Sequence, residues 1–260
     1  MKQSVKERAM SGERVCGTMI RIIRSPAMMQ MAKNAGLDFI MFDCEHNCFN
    51  LETMHDAFLV ANSIGIEGWV RVPVATKDYM SRFLDCGARG IMAPMTETVE
   101  QAKNLVYYTK YEPLGGRGFT GCGPHTDYKT VPHRQLMEEH NKKVMTIAQI
   151  ETVKGVENAK AIASVDGIDV LLIGPNDLSI ALGIPGDLMN PIELEAIAKV
   201  AKACHEAGKL FSVHSTAPLQ NKFLDDLDIV MQMGDTEMLK SGCDSIRAYC
   251  DGLKPRAARA

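Results

Sequence analysis

The feature that most constrains this chain is a set of eight short apolar runs separated by longer amphipathic stretches. The runs are 15–20 (VCGTMI), 37–42 (LDFIMF), 67–72 (EGWVRV), 89–94 (RGIMAP), 144–150 (VMTIAQI), 168–173 (IDVLLI), 209–213 (KLFSV) and 227–231 (LDIVM). They are too short for helices, and several are apolar on both faces, as parallel strands covered on each side must be. Helical spacing fills the intervals. Ser25-Pro26 places an N-cap and a first-turn proline before MMQMAKN, with Gly36 as the stop. Thr76 is placed to cap a helix reaching Gly87, and 97–109, 152–164, 191–207, 216–225 and 235–248 have the same character. Eight strand–helix alternations in 260 residues predict an α/β fold, a (β/α)8 TIM barrel forming one domain over 1–260. An open doubly wound sheet is the competing arrangement.

Composition narrows the function class. A net charge of −3 gives no reason to expect a nucleic-acid partner. No apolar run approaches the ~18 residues that a membrane span needs. The N-terminal MKQSVKERAMSGERVCG lacks the apolar core of a secretory signal. Eight cysteines at irregular spacing read as reduced thiols. The expectation is a cytoplasmic protein with a basic C-terminal tail, KPRAARA, that frays.

In a barrel the functional groups collect at the C-terminal ends of the strands. Those ends carry Asp43, Glu45 and His46, then Arg71, then Gln149 and Glu151, then Gly174-Pro175-Asn176-Asp177, then His214 and Ser215, and last Gly234 and Asp235. Gln149 and Glu151 share one strand face, with Ile150 on the other. Glu151 could instead cap the next helix, and Asp177 could cap the short DLSIALG helix. Together, at neighbouring strand ends, they form a candidate two-carboxylate metal site. The stretch FDCEHNCFN is dense in potential ligands, but no second cysteine pair follows Cys44 and Cys48 at zinc spacing. Gly116–Gly121 fits G-x-G-x-x-G without the flanking strand and helix a dinucleotide site needs. The loop 110–130 is expected over the barrel mouth or at a subunit contact. His125, His133, His140 and His205 read as loop or helix-face residues without a role.

The segments GLDFIMFDCEHN, WVRVP, LDCGARGIMAP, YEPLGGRG, IAQIE and GIDVLLIGPNDLSIALG, in this order over nearly the whole length, resemble the HpcH/HpaI family of metal-dependent pyruvate aldolases. The resemblance implies a (β/α)8 barrel that reversibly cleaves a 4-hydroxy-2-oxo acid to pyruvate and an aldehyde. It matches Glu151 and Asp177 to divalent-metal ligands and Arg71 to an arginine on the substrate keto oxygen. His46 matches an acid/base histidine, while Asp43 and Gln149 match residues that support the ligands or hold water. Asp85 matches an aspartate that reaches the histidine of a neighbouring subunit, which implies a homo-oligomer, a hexamer or a trimer. Gly174, Pro175, Asn176 and Asp177 stand where a helix start would hold the substrate carboxylate. Hard oxygen ligands suit Mg2+ or Mn2+, with Co2+ a further candidate.

The residues favour the metal route on their own terms. An aldolase forms a carbanion beside a ketone through a lysine Schiff base or a metal. None of the eight runs carries a lysine near its C-terminal end: Lys143 and Lys209 fall at strand starts and Lys154 on the helix after Glu151. Alternatives on the same barrel are oxaloacetate decarboxylation, cleavage of a malyl- or citryl-type CoA thioester, and non-catalytic keto-acid binding. Four departures from the family pattern lie where the aldehyde or the oxo-acid tail belongs. They are Met19 in place of an aromatic, Asn176 in place of a small residue, the pair His214-Ser215, and GCGPHTDYKT. Arg71→Ala is expected to reduce turnover far more than folding.

Overall fold

The apolar runs become strands because each presents one apolar face to a barrel interior and the other to a helical layer. The computed structural model describes residues 3–253, and the basic tail 254–260, expected to fray, lies outside the described residues. The strands are β1 (Val15–Ile20), β2 (Phe39–Asp43), β3 (Glu67–Arg71), β4 (Gly90–Ala93), β5 (Met145–Ile150), β6 (Val170–Ile173), β7 (Leu210–Ser215) and β8 (Ile229–Gly234). All pair in parallel with their chain neighbours, and β8 returns to β1. The closed ring excludes the doubly wound sheet. The helices are α1 (Val5–Met10), α2 (Ala27–Asn34), α3 (Leu51–Ile64), α4 (Lys77–Asp85), α5 (Val99–Thr109), α6 (His133–Lys143), α7 (Val153–Ala163), α8 (Pro175–Ala181), α9 (Pro191–Glu206), α10 (Ala217–Gln220) and α11 (Asp235–Asp251). No described helix is long and apolar enough to cross a membrane.

Period-two alternation divides the core. Met19, Phe39, Met41, Trp69, Met92, Ile147, Leu172 and Met231 fill the barrel interior. Ile40, Val70, Ile91, Ile150, Ile173 and Val213 face outward into the helical layer. Low in the barrel, Phe39 and Trp69 stack with centroids 3.9 Å apart. A Cβ at Gly17 would fall 2.6 Å from the Phe39 ring, and one at Gly90 2.6 Å from the Trp69 ring. The two glycines therefore make room for the aromatic pair. Helix α1 closes this end: the Val5 N–H donates to Glu67 Oε1 at 2.8 Å, while Trp69 Nε1 donates to Glu67 Oε2 at 2.9 Å.

The structure corrects several expectations. Helix α2 begins at Ala27 with Pro26 as its cap, and Thr76 caps α4 without a side-chain hydrogen bond. The helix expected over 216–225 shrinks to α10, because the chain beyond it tightens into turns such as Phe223 N–H to Gln220 O at 2.9 Å. The loop 110–130 does not lie over the mouth. Helix α5 runs back along the barrel, so the chain leaves it at the strand starts. There Lys110 is buried, with Nζ 2.5 Å from Val144 O and 3.4 Å from Asp169. Arg117 pairs with Asp85 at 2.5 Å, stacks over Tyr111 and donates to His140. His125 and His140 are buried rather than surface residues. Burial and the Arg117 charge hold His140 well below the usual histidine range. Helix α11 leaves Leu239, Ile246 and Tyr249 exposed, and Asp235 is its one buried residue.

Glu193 on α9 is fully buried, with no hydrogen bond to either carboxylate oxygen. Burial, helped by Asp187, pushes its pKa up to about 7. The folded state therefore holds this proton more tightly than the unfolded chain, whose value is ~4.3. That contribution to stability is complete below the unfolded value and lost as pH rises through about 7. Glu193→Gln keeps the shape without the charge. Thermal melts should show it stabilised by roughly 5 °C at pH 8.5 and much less at pH 5; equal shifts at both pH values would contradict this account.

Candidate active site

Asp43 ends β2 facing into the barrel, and the β2–β3 register sets it beside Arg71. The pair is bidentate: Arg71 Nε donates to Asp43 Oδ1 at 2.9 Å, and Nη2 lies 2.8 Å from Oδ2. Asp43 also accepts the backbone N–H groups of Glu45 at 3.1 Å and His46 at 3.3 Å, and Asn47 Nδ2 at 2.9 Å. Burial would raise this carboxyl, but the Arg71 guanidinium and the two amides outweigh it and hold it below the usual aspartate range. The loop after β2 is thus wound around one buried carboxylate.

That winding places the next two side chains. Glu45 Oε2 lies 3.2 Å from Arg71 Nε and 3.6 Å from His46 Nε2. The His46 side chain is 61% exposed, so it stands at the rim rather than inside the cavity. Cys44 turns away into the helical layer, where burial and then Asp43 push its thiol up to about 12. With Cys44 facing the helices and Cys48 exposed, FDCEHNCFN does not converge as a thiolate site.

Across the mouth, Glu151 follows β5 and is 2% exposed. Its Oε1 accepts the Met95 N–H at 2.6 Å, and its Oε2 accepts Gln149 Nε2 at 2.6 Å. Met95 has φ +49, a left-handed turn after β4 that goes with the N–H directed at the carboxylate. Thr152, not Glu151, caps α7, through the Gly155 N–H at 3.1 Å. Gly174 caps α8, so Asp177 is its third residue rather than its cap. A Cβ at Gly174 would run into Glu151 Oε2 and fall 2.6 Å from Gln149 Nε2. Pro175 opens α8 without needing a hydrogen-bond acceptor, and Asn176 and Asp177 are exposed in its first turn.

The electrostatics are unbalanced. Burial pushes Glu151 up to about 7; the Met95 amide opposes this, Asp177 and Glu45 add repulsion, and Arg71 opposes it again. Burial also raises Glu45. Gln149 Oε1 is buried without a partner. Among the described residues no three His, Cys, Asp or Glu side chains converge as a complete metal cage. Two hard carboxylates beside an unsatisfied amide oxygen fit a divalent cation such as Mg2+ or Mn2+ that keeps positions open for water and substrate.

Of the sequence-derived residues, the structure brings Asp43, Arg71, Gln149, Gly174, Pro175, Asn176, Glu151 and Asp177 to one barrel mouth, with His46 on its rim. Asp85 sits at the opposite end, on the last residue of α4, paired with Arg117. Sequence reasoning missed the Met95 amide. It also missed Lys110, whose pKa burial lowers to about 7. Lys110 has the lowered basicity of an amine nucleophile, but it is locked against Val144 and Asp169 at the strand starts, away from the mouth.

Residues 22–240 match the family model described as HpcH/HpaI aldolase/citrate lyase. The 4-hydroxy-4-methyl-2-oxoglutarate aldolase tasA of Hapsidospora irregularis is 33% identical over 206 residues, 78% of this chain and 76% of that protein. The hydroxypyruvate/pyruvate aldolase of Roseobacter denitrificans is 32% identical over 222 residues, 83% of this chain and 82% of that one. The crystal structure of an HpcH/HpaI aldolase from Desulfitobacterium hafniense DCB-2 superposes with a TM-score of 0.93 at 30% identity, covering 97% of this chain and 98% of that one. With a barrel, a carboxylate-lined mouth and a family match over most of its length, this chain belongs to the HpcH/HpaI aldolase/citrate lyase family.

Proposed function

We propose that this protein is a class II pyruvate aldolase, a lyase that reversibly cleaves a 4-hydroxy-2-oxo acid to pyruvate and an aldehyde with the help of a divalent cation. The observation that carries this reading is the buried Glu151 at the mouth: burial pushes it up to about 7, and Asp177 and Glu45 add repulsion that a cation would relieve. The names of the relatives, pyruvate-linked aldolases among them, support the same reaction class.

Glu151 and Asp177 would hold the cation, Mg2+ or Mn2+ with Co2+ a further candidate. When bound, it supplies Lewis-acid stabilisation of the negative charge that develops on the keto oxygen. Arg71, fixed by its two bonds to Asp43, presents its remaining N–H groups to the same oxygen. A preorganised donor of this kind commonly contributes ~3–4 kcal/mol. The first-turn amides of α8 at Asn176 and Asp177 receive the substrate carboxylate, and Gly174 and Pro175 keep that space open. His46, at the rim and 3.6 Å from Glu45, exchanges a proton between solvent and the hydroxyl of the aldol. Gln149 holds the Glu151 carboxylate in place.

The exposed apolar residues of α11 support a homo-oligomer, a hexamer or trimer, in which a second copy covers that face and Asp85 meets a neighbouring copy's histidine. All eight cysteines are free, which supports a reducing, cytoplasmic setting.

Pyruvate release from a panel of 4-hydroxy-2-oxo acids should disappear with EDTA and return with Mn2+ or Mg2+. Full turnover in rigorously metal-free protein would refute the cation. The geometry also revises the simple alanine test at Arg71. Removing the guanidinium strands a fully buried Asp43 charge, a loss of ~3–5 kcal/mol, so Arg71→Ala should lower the melting temperature together with activity. Arg71→Lys keeps the charge but not the fork. It should retain most of the melting temperature while kcat falls about 100-fold. Undiminished kcat in Arg71→Lys would remove the guanidinium from the chemistry.

A further inference from the structure

We propose that His214 determines which aldehyde the enzyme takes: its Nδ1 accepts a hydrogen bond from a hydroxyl on the part of the substrate that leaves as the aldehyde. This inference rests on the aldolase reading above and names a substrate class for it, α-hydroxyaldehydes over their alkyl counterparts.

The orientation of His214 follows from β7. Leu210 belongs to the barrel interior, Phe211 and Val213 belong to the helical layer, and Ser212 Oγ donates to Ile229 O at 2.8 Å. His214 continues the inward series and is its last member, at the mouth. The 2-oxo acid head is assigned to Glu151, Asp177 and Arg71. The wall formed by β7, β8 and β1 is left for the other half of the substrate. On that wall His214 offers a ring nitrogen as an acceptor.

The ring is fixed in one tautomer. His214 Nε2 lies 3.2 Å from Met233 O, and a carbonyl oxygen only accepts, so Nε2 carries the proton. Met233 has φ +56, at the point where the β1–β8 register shifts, and its carbonyl also accepts from Thr18 Oγ1 at 3.3 Å. A left-handed turn is unfavourable for a methionine. Here it accompanies a carbonyl turned onto the imidazole, which anchors the ring. No protein donor reaches Nδ1 among the described residues.

The charge state supports the same geometry. Burial pushes His214 down to about 4; the Met233 carbonyl opposes this, and Arg21 and Arg71 push it further down. At neutral pH the ring is therefore uncharged, and Nδ1 is an acceptor only. Such an atom receives an O–H and disfavours a carboxylate or phosphate. When a bound substrate closes over such an acceptor, a substrate without the matching hydroxyl leaves it unpaired, which is the stronger form of discrimination.

The experiment runs the aldol addition of pyruvate to glycolaldehyde and to acetaldehyde, two acceptors that differ by one hydroxyl. Wild-type protein should favour glycolaldehyde at least tenfold in kcat/KM. His214→Leu should bring the ratio close to one. His214→Gln, whose amide can donate to Met233 O and still offer an oxygen, should keep a several-fold preference. Equal use of the two aldehydes by wild type, or an unchanged ratio in His214→Leu, overturns the proposal. If His214→Leu fails to fold, the wild-type ratio and the glutamine variant still decide. Exchange of the pyruvate methyl protons in D2O, followed by NMR without aldehyde, separates the two levels. Its absence in wild type would sink the aldolase reading itself, whereas exchange without a hydroxyaldehyde preference sinks only the role of His214.

Discussion

The burial of a carboxylate at the end of β5 is the constraint on which this barrel mouth depends. Glu151 is nearly without solvent, and Asp177 and Glu45 both act to raise it. In water such charges would barely sense one another; at a buried site their interaction grows several-fold. A protein that only needed a stable barrel would place apolar residues there, as it does lower down with Met41, Ile147 and Leu172. A divalent ion would turn the same arrangement from a liability into a binding site, because its charge would reverse the local preference for protonation.

The opposite wall solves a different problem. In the proposed reaction Arg71 would point at a substrate oxygen, and it has to be kept from drifting toward the nearest acid. Asp43 holds it by two bonds and, with its remaining acceptor capacity, ties down the loop that carries Glu45 and His46. Position, charge and loop shape are thus set by one fully buried carboxylate. Its partner cannot be deleted without leaving that charge unpaired, which is why activity and stability are coupled at this point.

Much of this was legible from sequence, for identifiable reasons. Strands buried on both faces write uninterrupted apolar runs, and eight such runs specify the barrel. Period-two spacing placed Gln149 and Glu151 on one face, and the strand-end rule gathered Asp43, Arg71 and Asp177. What stayed hidden lacks a periodic signature. Lys110, Asp169, Arg117 and His140 are polar residues buried against one another, so their pattern looks like surface loop. The Met95 contribution is a backbone N–H, to which the side-chain identity gives no clue. The position of the 110–130 loop at the strand starts followed from helix direction, which composition does not encode. His214 was visible as an unusual strand-end residue, but its tautomer depends on the left-handed backbone of Met233, nineteen positions away.

The most direct measurement is anomalous diffraction from crystals soaked in Mn2+ and oxalate, a mimic of the enolised oxo acid. The account predicts one manganese peak bridging the carboxylates of Glu151 and Asp177, with oxalate between the ion and Arg71. A fully occupied oxalate with no metal peak at those two side chains would contradict it.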